Sequence, residues 1–228
     1  MLSNLAPVSE IEEASPAAHP HELLLAEFIH RSANDLAVTC AAINLARRAA
    51  TLDEACDRLE IAVERLLALA AIQRILLIPK GGRMELGSTL CELCGHHAAA
   101  RFTEQAALVR VSTADVEIDA RRGWTMLVIV SELLTNTARH AFRSPGGLVN
   151  IDLTSAKDQI RCVVSDNGAG IAASHATGAG TSLITALALD AGIQWSRTSC
   201  PGGTIVEMRM PTVAAVLPSE SLTGFYHS

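Results

Sequence analysis

The chain predicts an α+β fold in two parts: an amino-terminal helical hairpin, then helices laid on one face of a mixed sheet. Three observations carry this reading. Apolar residues recur in alternating steps of three and four over two successive stretches, from Ala26 to Ile43 and from Leu52 to Leu69. Beyond residue 147, runs such as LVNIDLTS and QIRCVVSD are separated by short polar or glycine-rich turns, the pattern of paired strands. Between these regions lies Trp124 to Phe142, a nearly apolar stretch. At 100° per residue it places Thr125, Glu132, Asn136 and Arg139 on one helical face, with His140 at the edge and Leu127, Val130, Leu134 and Ala141 opposite. A carboxylate, an amide and a cation along a buried helix cost on the order of several kcal/mol unless something polar faces them. One face is core and the other is a site.

Composition narrows the class. With 228 residues, 49% hydrophobic and 18% charged, the chain can bury a proper core. Its 24 acidic against 18 basic residues give a net charge of -6 with no basic block, which argues against nucleic acid as a partner. No apolar run approaches the ~20 residues needed to cross a bilayer, and the first residues lack a signal-peptide pattern, so a cytoplasmic protein without membrane contact is expected. The six cysteines lie mostly inside helical or strand patterns and read as small core residues of a reducing compartment. Cys91-Glu-Leu-Cys94-Gly-His-His has no second CxxC to close a tetrahedral metal site.

In chain order, residues 1–20 are Ala-, Ser-, Pro- and Glu-rich without periodicity and read as a flexible leader. Ala26, Ile29, Ala33, Leu36, Cys40 and Ile43 form the first heptad seam. Leu52, Ala55, Leu59, Ala62, Leu66 and Leu69 form the second, opened by Thr51 with Asp53 and Glu54 in the first turn. Two such helices make a hairpin over 21–80 with too little interior of its own, so its seams are expected to pair with a second copy into a four-helix bundle. Pro79-Lys-Gly-Gly82 marks the boundary to a second unit, 83–212, followed by a tail, 213–228. In the second unit the pattern predicts a helix from Met84 to about Arg101, strands at Ala107 to Ser112 and Val116 to Ile118, then the central helix. Two strands follow, turning at Ala156 to Asp158, then a helix near Ser182 to Asp190, and two last strands joined through Pro201-Gly-Gly203.

Two glycine clusters sit where a ligand could approach backbone. Asp166-Asn-Gly-Ala-Gly170 follows a buried strand, so its carboxylate could accept a hydrogen bond from an exocyclic amine. Gly178-Ala-Gly180 precedes a helix whose free N–H groups could hold phosphate oxygens. Gly202-Gly203-Thr204 is most simply a hairpin turn.

Taken in order, ELLTNTARHAF from Glu132, SDNGAGI, GAGTSL and GGTIVEMRMP resemble the N, G1, G2 and terminal Gly-Thr elements of the GHKL ATP-binding fold, shared by gyrase, histidine kinases and MutL. The resemblance covers roughly residues 85–212. It implies an α/β sandwich that binds ATP and Mg²⁺. Asn136 would ligate the metal, and Glu132 would support it or its water. Arg139 and His140 would face the phosphates, and Asp166 would read the adenine amino group. Gly168, Gly170, Gly178, Gly180 and Thr204 would shape the pocket, with Ile171 to Thr177 as a short lid. Thr137 departs from the small Ala the family prefers after that Asn, and Arg139 from its more usual Lys.

His30-Arg-Ser-Ala-Asn-Asp-Leu36 resembles the H-box of histidine kinases of the HisKA_2 and HWE type, without a sensor domain. The resemblance implies autophosphorylation of His30 by Mg·ATP and transfer of the phosphoryl group to a response-regulator aspartate. Relatives often carry an acid directly after the histidine, where this chain has Arg31; Glu27 one turn earlier, or Asn34 and Asp35 one turn later, could orient the ring. Asn34 could also position water for dephosphorylating a regulator. The implied partners are a second copy, a receiver domain and an upstream sensor protein. The alternative is a phosphorelay histidine phosphotransferase or adaptor whose ATP-binding domain no longer catalyses.

Overall fold

A computed structural model describes residues 20–103, 105–142, 145–170 and 179–212, with the side chains of 20–28, 30, 31 and 179 outside the description. Helices α1 (Pro20–Ala46) and α2 (Leu52–Ile75) form the hairpin. The turn between them is fixed locally: Thr51 accepts from the Glu54 backbone N–H, and Glu54 in turn accepts from the N–H of Ala50.

The face that α1 turns to its own α2 is not the seam expected to meet a second copy. Thr39 and Ala46 are buried with Ser32, Asp35 and Ala42 half-buried beside them, whereas Ile29 and Leu36 stay 58% and 59% exposed. Small side chains let α1 approach its own α2 closely, and larger residues of the expected seam are left pointing outward. On α2 the seam divides. Ala62 and Leu69 are buried, but Leu52, Leu59 and Leu66 are exposed.

After the hairpin come β1 (Arg83–Glu85), α3 (Leu86–His97), a π-helical turn (Ala98–Phe102), β2 (Ala107–Thr113) and β3 (Glu117–Asp119). Next are α4 (Ala120–His140), β4 (Gly147–Ala156), β5 (Gln159–Asp166), α5 (Ala179–Ala191), β6 (Gln194–Cys200) and β7 (Gly203–Pro211). The helix expected from Met84 therefore starts two residues later. Met84 is spent on a short antiparallel pair with Ile118, and Glu85 becomes a cap, accepting from the N–H groups of Gly87, Ser88 and Val116. The Ser88 side chain first, and then these backbone donors, hold the Glu85 carboxyl down to about 2. Gly87 is required at the next position, since a Cβ there would lie 2.4 Å from the Ala114 carbonyl oxygen.

Among the described residues five strands form one sheet in the order β2-β4-β5-β7-β6, parallel between β2 and β4 and antiparallel elsewhere. Alternate residues, Val149, Ile151 and Leu153 on β4, Ile160, Cys162 and Val164 on β5, and Val206, Met208 and Met210 on β7, point to one buried face. Leu86, Leu90, Leu93, Met126, Leu127, Ile129, Val130, Leu133, Leu134, Leu183 and Leu187 cover it from α3, α4 and α5. Cys94 and Cys162 lie in this core, and burial pushes both thiols up, Cys162 to about 12, whereas Cys40, Cys56, Cys91 and Cys200 are exposed and are not the core residues expected. Trp124 is core as well, its indole N–H satisfied by the Leu76 carbonyl at the end of α2.

Candidate functional site

The site is built on α4. Asp119 caps it, accepting from the N–H groups of Arg121 and Arg122. Helices α3 and α5 flank α4 over the sheet, so both its faces are largely covered and a polar group on it must find a protein partner or a ligand. Thr125 meets its need within the helix, donating to the Arg121 carbonyl, and takes no part in the site. Glu132 is only 2% exposed and accepts a 2.8 Å hydrogen bond from Asn136 Nδ2, one turn on. That bond directs Asn136 Oδ1 away from Glu132. Arg139 and His140, in the last turn, are exposed.

Helix α5 begins at Ala179, three residues before the start expected near Ser182, so Gly180 lies in its first turn. A Cβ on Gly180 would stand 2.6 Å from Glu132 Oε1 and 3.3 Å from Asn136 Nδ2. The helix start is thus pressed against the carboxylate–amide pair, and only glycine leaves room. Arg197 on β6 donates to Thr181 in the same turn. Gly178 and the expected lid, residues 171–177, lie outside the described residues.

Asp166 ends β5 directly beyond the other end of this pair. Its Oδ1 accepts from the Gly168 N–H at 2.9 Å, and the nearby Thr204 N–H and Thr137 hydroxyl favour its charged form. Burial outweighs these bonds and holds the Asp166 carboxyl above the ordinary aspartate value. The loop is wedged between two backbones. A Cβ on Gly168 would meet the Ala141 carbonyl at 2.5 Å, while Ala169 N–H donates to that same carbonyl. On the other side Gly203, at φ +135°, passes so close that a Cβ would lie 1.9 Å from the Asp166 carbonyl. Gly170, at φ +70°, lies likewise against the Cys200 carbonyl. The Thr204 hydroxyl meets Ser199 Oγ at 3.1 Å. The Gly202-Gly203 segment is a hairpin turn, and it also forms one wall of the Asp166 loop.

In the hairpin, the backbone of His30 and Glu27 lies within α1, and their side chains are outside the described residues. Asn34 is half-buried one turn beyond His30. Asp35, considered above as a partner for the imidazole, is committed elsewhere: it takes two parallel 2.8 Å bonds from Arg101 of the π-helical turn. Nothing in the sequence announces Arg101, 66 positions away. Helix α1 also runs against α5, whose first turn abuts Glu132 and Asn136.

These residues suit a nucleotide with a hard divalent cation. The available donors are oxygens, an amide and a carboxylate, as Mg²⁺ prefers. Among the described residues no cluster of three or more His, Cys, Asp or Glu could hold a metal by itself. At the other end, a carboxylate surrounded by close backbone approaches suits a flat base with an exocyclic amine.

A family model described as the histidine kinase-like ATPase domain matches residues 96–210. The sensor histidine kinase PdtaS of Mycolicibacterium smegmatis is 24% identical over 167 residues, covering 72% of this chain and 33% of its own length. The chain thus spans about a third of that relative. The histidine kinase domain from the Erythrobacter litoralis EL346 blue-light activated histidine kinase superposes with a TM-score of 0.55 and 21% identity, over 78% of this chain and 96% of that one. A bacterial phosphotransferase gives 0.61 and 13%, over 89% and 98%. At these identities the structural likenesses show a shared fold.

Proposed function

Because the chain belongs to the family of histidine kinase-like ATPase domains, we propose that it is a two-component histidine kinase that phosphorylates its own His30 with Mg·ATP and passes the phosphoryl group to an aspartate of a response regulator. The observation that carries this is the arrangement on α4: the Glu132–Asn136 pair faces the start of α5, and the Asp166 loop closes on the end of the same helix at Ala141.

Bound ATP supplies the phosphoryl group, and Mg²⁺ would spread its charge. Asp166 accepts a hydrogen bond from the adenine amine, with Gly168, Gly170 and Gly203 keeping the backbone close around the base. Asn136 would offer Oδ1 to the metal, and Glu132 fixes the amide that would present it. Arg139 and His140 sit at the exposed end of the helix, where anionic oxygens would be met. A neutral ring nitrogen of His30 forms the N–P bond as the bond to the bridging oxygen breaks, and that electron pair leaves on ADP. The contact of α1 with α5 supports this, because the helix bearing His30 packs against the proposed phosphate-binding helix within one chain.

The outward apolar stripe of Leu36, Ile43, Leu52, Leu59 and Leu66 supports a homodimer, since a second copy would cover it as a four-helix bundle. Incubation with γ-labelled ATP and Mg²⁺ should give label that is lost in acid and kept in alkali. Label surviving His30→Ala would sink the assignment, and Asn136→Ala should abolish labelling while leaving the dimer intact by size. The likeness to a bacterial phosphotransferase over 89% of the chain favours a second reading, a relay that passes phosphate through His30 without using ATP. Absence of measurable ADP affinity would select it.

A further inference from the structure

At the end of α3 the residues Ala98 to Phe102 leave the α-helical pattern and form a single π-helical turn. Such turns are rare and recur at functional sites. Both ends of this one are tied to α4. Just before it the fully buried His97 meets Ser131 Oγ through Nε2 at 2.9 Å, and Ser131 directly precedes Glu132. At its end Phe102, also fully buried, stands edge-on to the ring of Phe142, with centroids 6.5 Å apart. Three residues later Gln105 donates to the Ala138 carbonyl, two positions beyond Asn136. The turn is thus fixed to the helix that carries the Glu132–Asn136 pair.

Within the turn Arg101 alone is charged. It reaches out of the ATPase fold to α1, where its fork closes on both oxygens of Asp35 at 2.8 Å, with both side chains largely buried. The hairpin has another directional anchor, the Trp124 indole N–H on the Leu76 carbonyl, but that bond lies where the hairpin runs into the ATPase fold. One such anchor beside the connection leaves a rigid hairpin able to pivot. A forked pair on the other helix removes that freedom, because guanidinium and carboxylate must keep their mutual orientation to keep both bonds. The remaining contacts, of α2 with α3 and the π-helical turn and of α1 with α5, are packed faces, and packed helices can slide.

We infer that Arg101 is a positioning residue for phosphoryl transfer: through Asp35 it carries the frame of α4 to α1 and sets where His30 stands relative to Asn136. This rests on the reading of the chain as a kinase of its own His30. Five residues of helix place His30 about 7.5 Å along α1 from Asp35 and about 140° around it. Fixing Asp35 therefore fixes the place of residue 30 both along and around the helix. Transfer needs the attacking nitrogen and the phosphorus about 3–3.5 Å apart and in line, and a misplacement of about 1 Å costs on the order of a hundredfold in rate. Nucleotide affinity rests on α4, α5 and the Asp166 loop, and should be spared.

The test takes Arg101→Gln and Asp35→Asn, singly and together, in the full chain, below the temperature at which any of them begins to unfold. The initial rate of His30 labelling at saturating Mg·ATP should fall by about tenfold or more in each. The double variant should fall no further than either single one, because both changes break the same fork. KM for ATP and the affinity for ADP should stay within about twofold of the parent. Should glutamine compromise folding, Arg101→Lys keeps the charge without the fork and should show the same split between rate and affinity. Labelling at the parent rate would overturn the inference, as would a faster rate, which marks a restraint on His30, or an ADP affinity that falls along with the rate. Placement is read separately. With Cys56 and Cys200 replaced by serine, spin labels on the exposed Cys40 of α1 and Cys91 of α3, in protein diluted with unlabelled chain, report one distance. Its distribution should be narrow in the parent and broader in Arg101→Gln. If the parent forms no phosphohistidine, the kinase reading fails and this distance judges the anchor: a broadened distribution upholds Arg101 as what places α1, and an unchanged one would overturn it.

Discussion

The Asp35–Arg101 pair is the most exposed to a decisive test, because it joins the helix bearing His30 to the ATPase fold with one interaction. Arg101→Gln removes the charge and the forked geometry and leaves the Asp35 carboxylate, 14% exposed, without its cation. Fully exposed ion pairs contribute about 0–1 kcal/mol, whereas breaking a buried one costs about 3–5 kcal/mol. With both side chains largely buried, 11% and 14% exposed, and both bonds at 2.8 Å, the expected cost lies near the low end of the second range, about 3 kcal/mol. For a chain of this size that corresponds to roughly 6–12 °C in Tm. The clean measurement is a double-mutant cycle of Arg101→Gln and Asp35→Asn by urea unfolding, with amide exchange followed in α1. A coupling of about 2 kcal/mol and faster exchange in α1 than in α4 are expected. A coupling below about 0.5 kcal/mol would show that the pair does not hold α1 in place, and the reasoning from burial would be wrong.

Two further changes probe elements around the site. Glu85→Gln weakens the cap of α3 and should cost about 1 kcal/mol near neutral pH. The parent carboxyl is depressed in the folded state, so its contribution is complete above the ordinary glutamate value of 4.5 and is lost as pH falls toward about 2. The stability gap between parent and variant in denaturant titrations should therefore close across that window, and a gap constant from pH 7 to 2 would contradict the assignment. Gly180→Ala places a methyl 2.6 Å from Glu132 Oε1 in a buried setting, so about 1–3 kcal/mol of stability and at least tenfold in ADP affinity should be lost. Unchanged unfolding and binding would show that α5 does not start against the Glu132–Asn136 pair.

The fold was readable where periodicity and turn chemistry agree. The strands β4 to β7 alternate cleanly because one face is covered and the other wet, and α4 stood out because polar residues interrupt an apolar helix at one-turn spacing. Glu132, Asn136 and Asp166 could be picked out for the same reason: each is a polar type in a position that hydrophobic patterning does not explain. What escaped was set by tertiary contact. Met84 has the pattern of a helix start, yet the strand pair with Ile118 and the three N–H groups converging on Glu85 move that start to Leu86. The face that α1 turns to its own α2, with Ser32, Thr39, Ala42 and Ala46, is a line of small and polar residues that a one-dimensional pattern of large residues cannot reveal.

Arg101 and Asp35 make the point most sharply. Neither residue type is unusual where it stands, and they meet only in the fold. Spacing alone makes Asp35 a fitting partner for the His30 imidazole, but a guanidinium from the other half of the chain satisfies both of its oxygens. A carboxylate so engaged would have to break two charge-assisted bonds to serve as a base. If His30 is the phosphorylated residue proposed above, Asn34 and Glu27 are the candidates left to orient its ring, and substituting each in turn, with the Asp35–Arg101 pair left intact, separates the two by autophosphorylation rate.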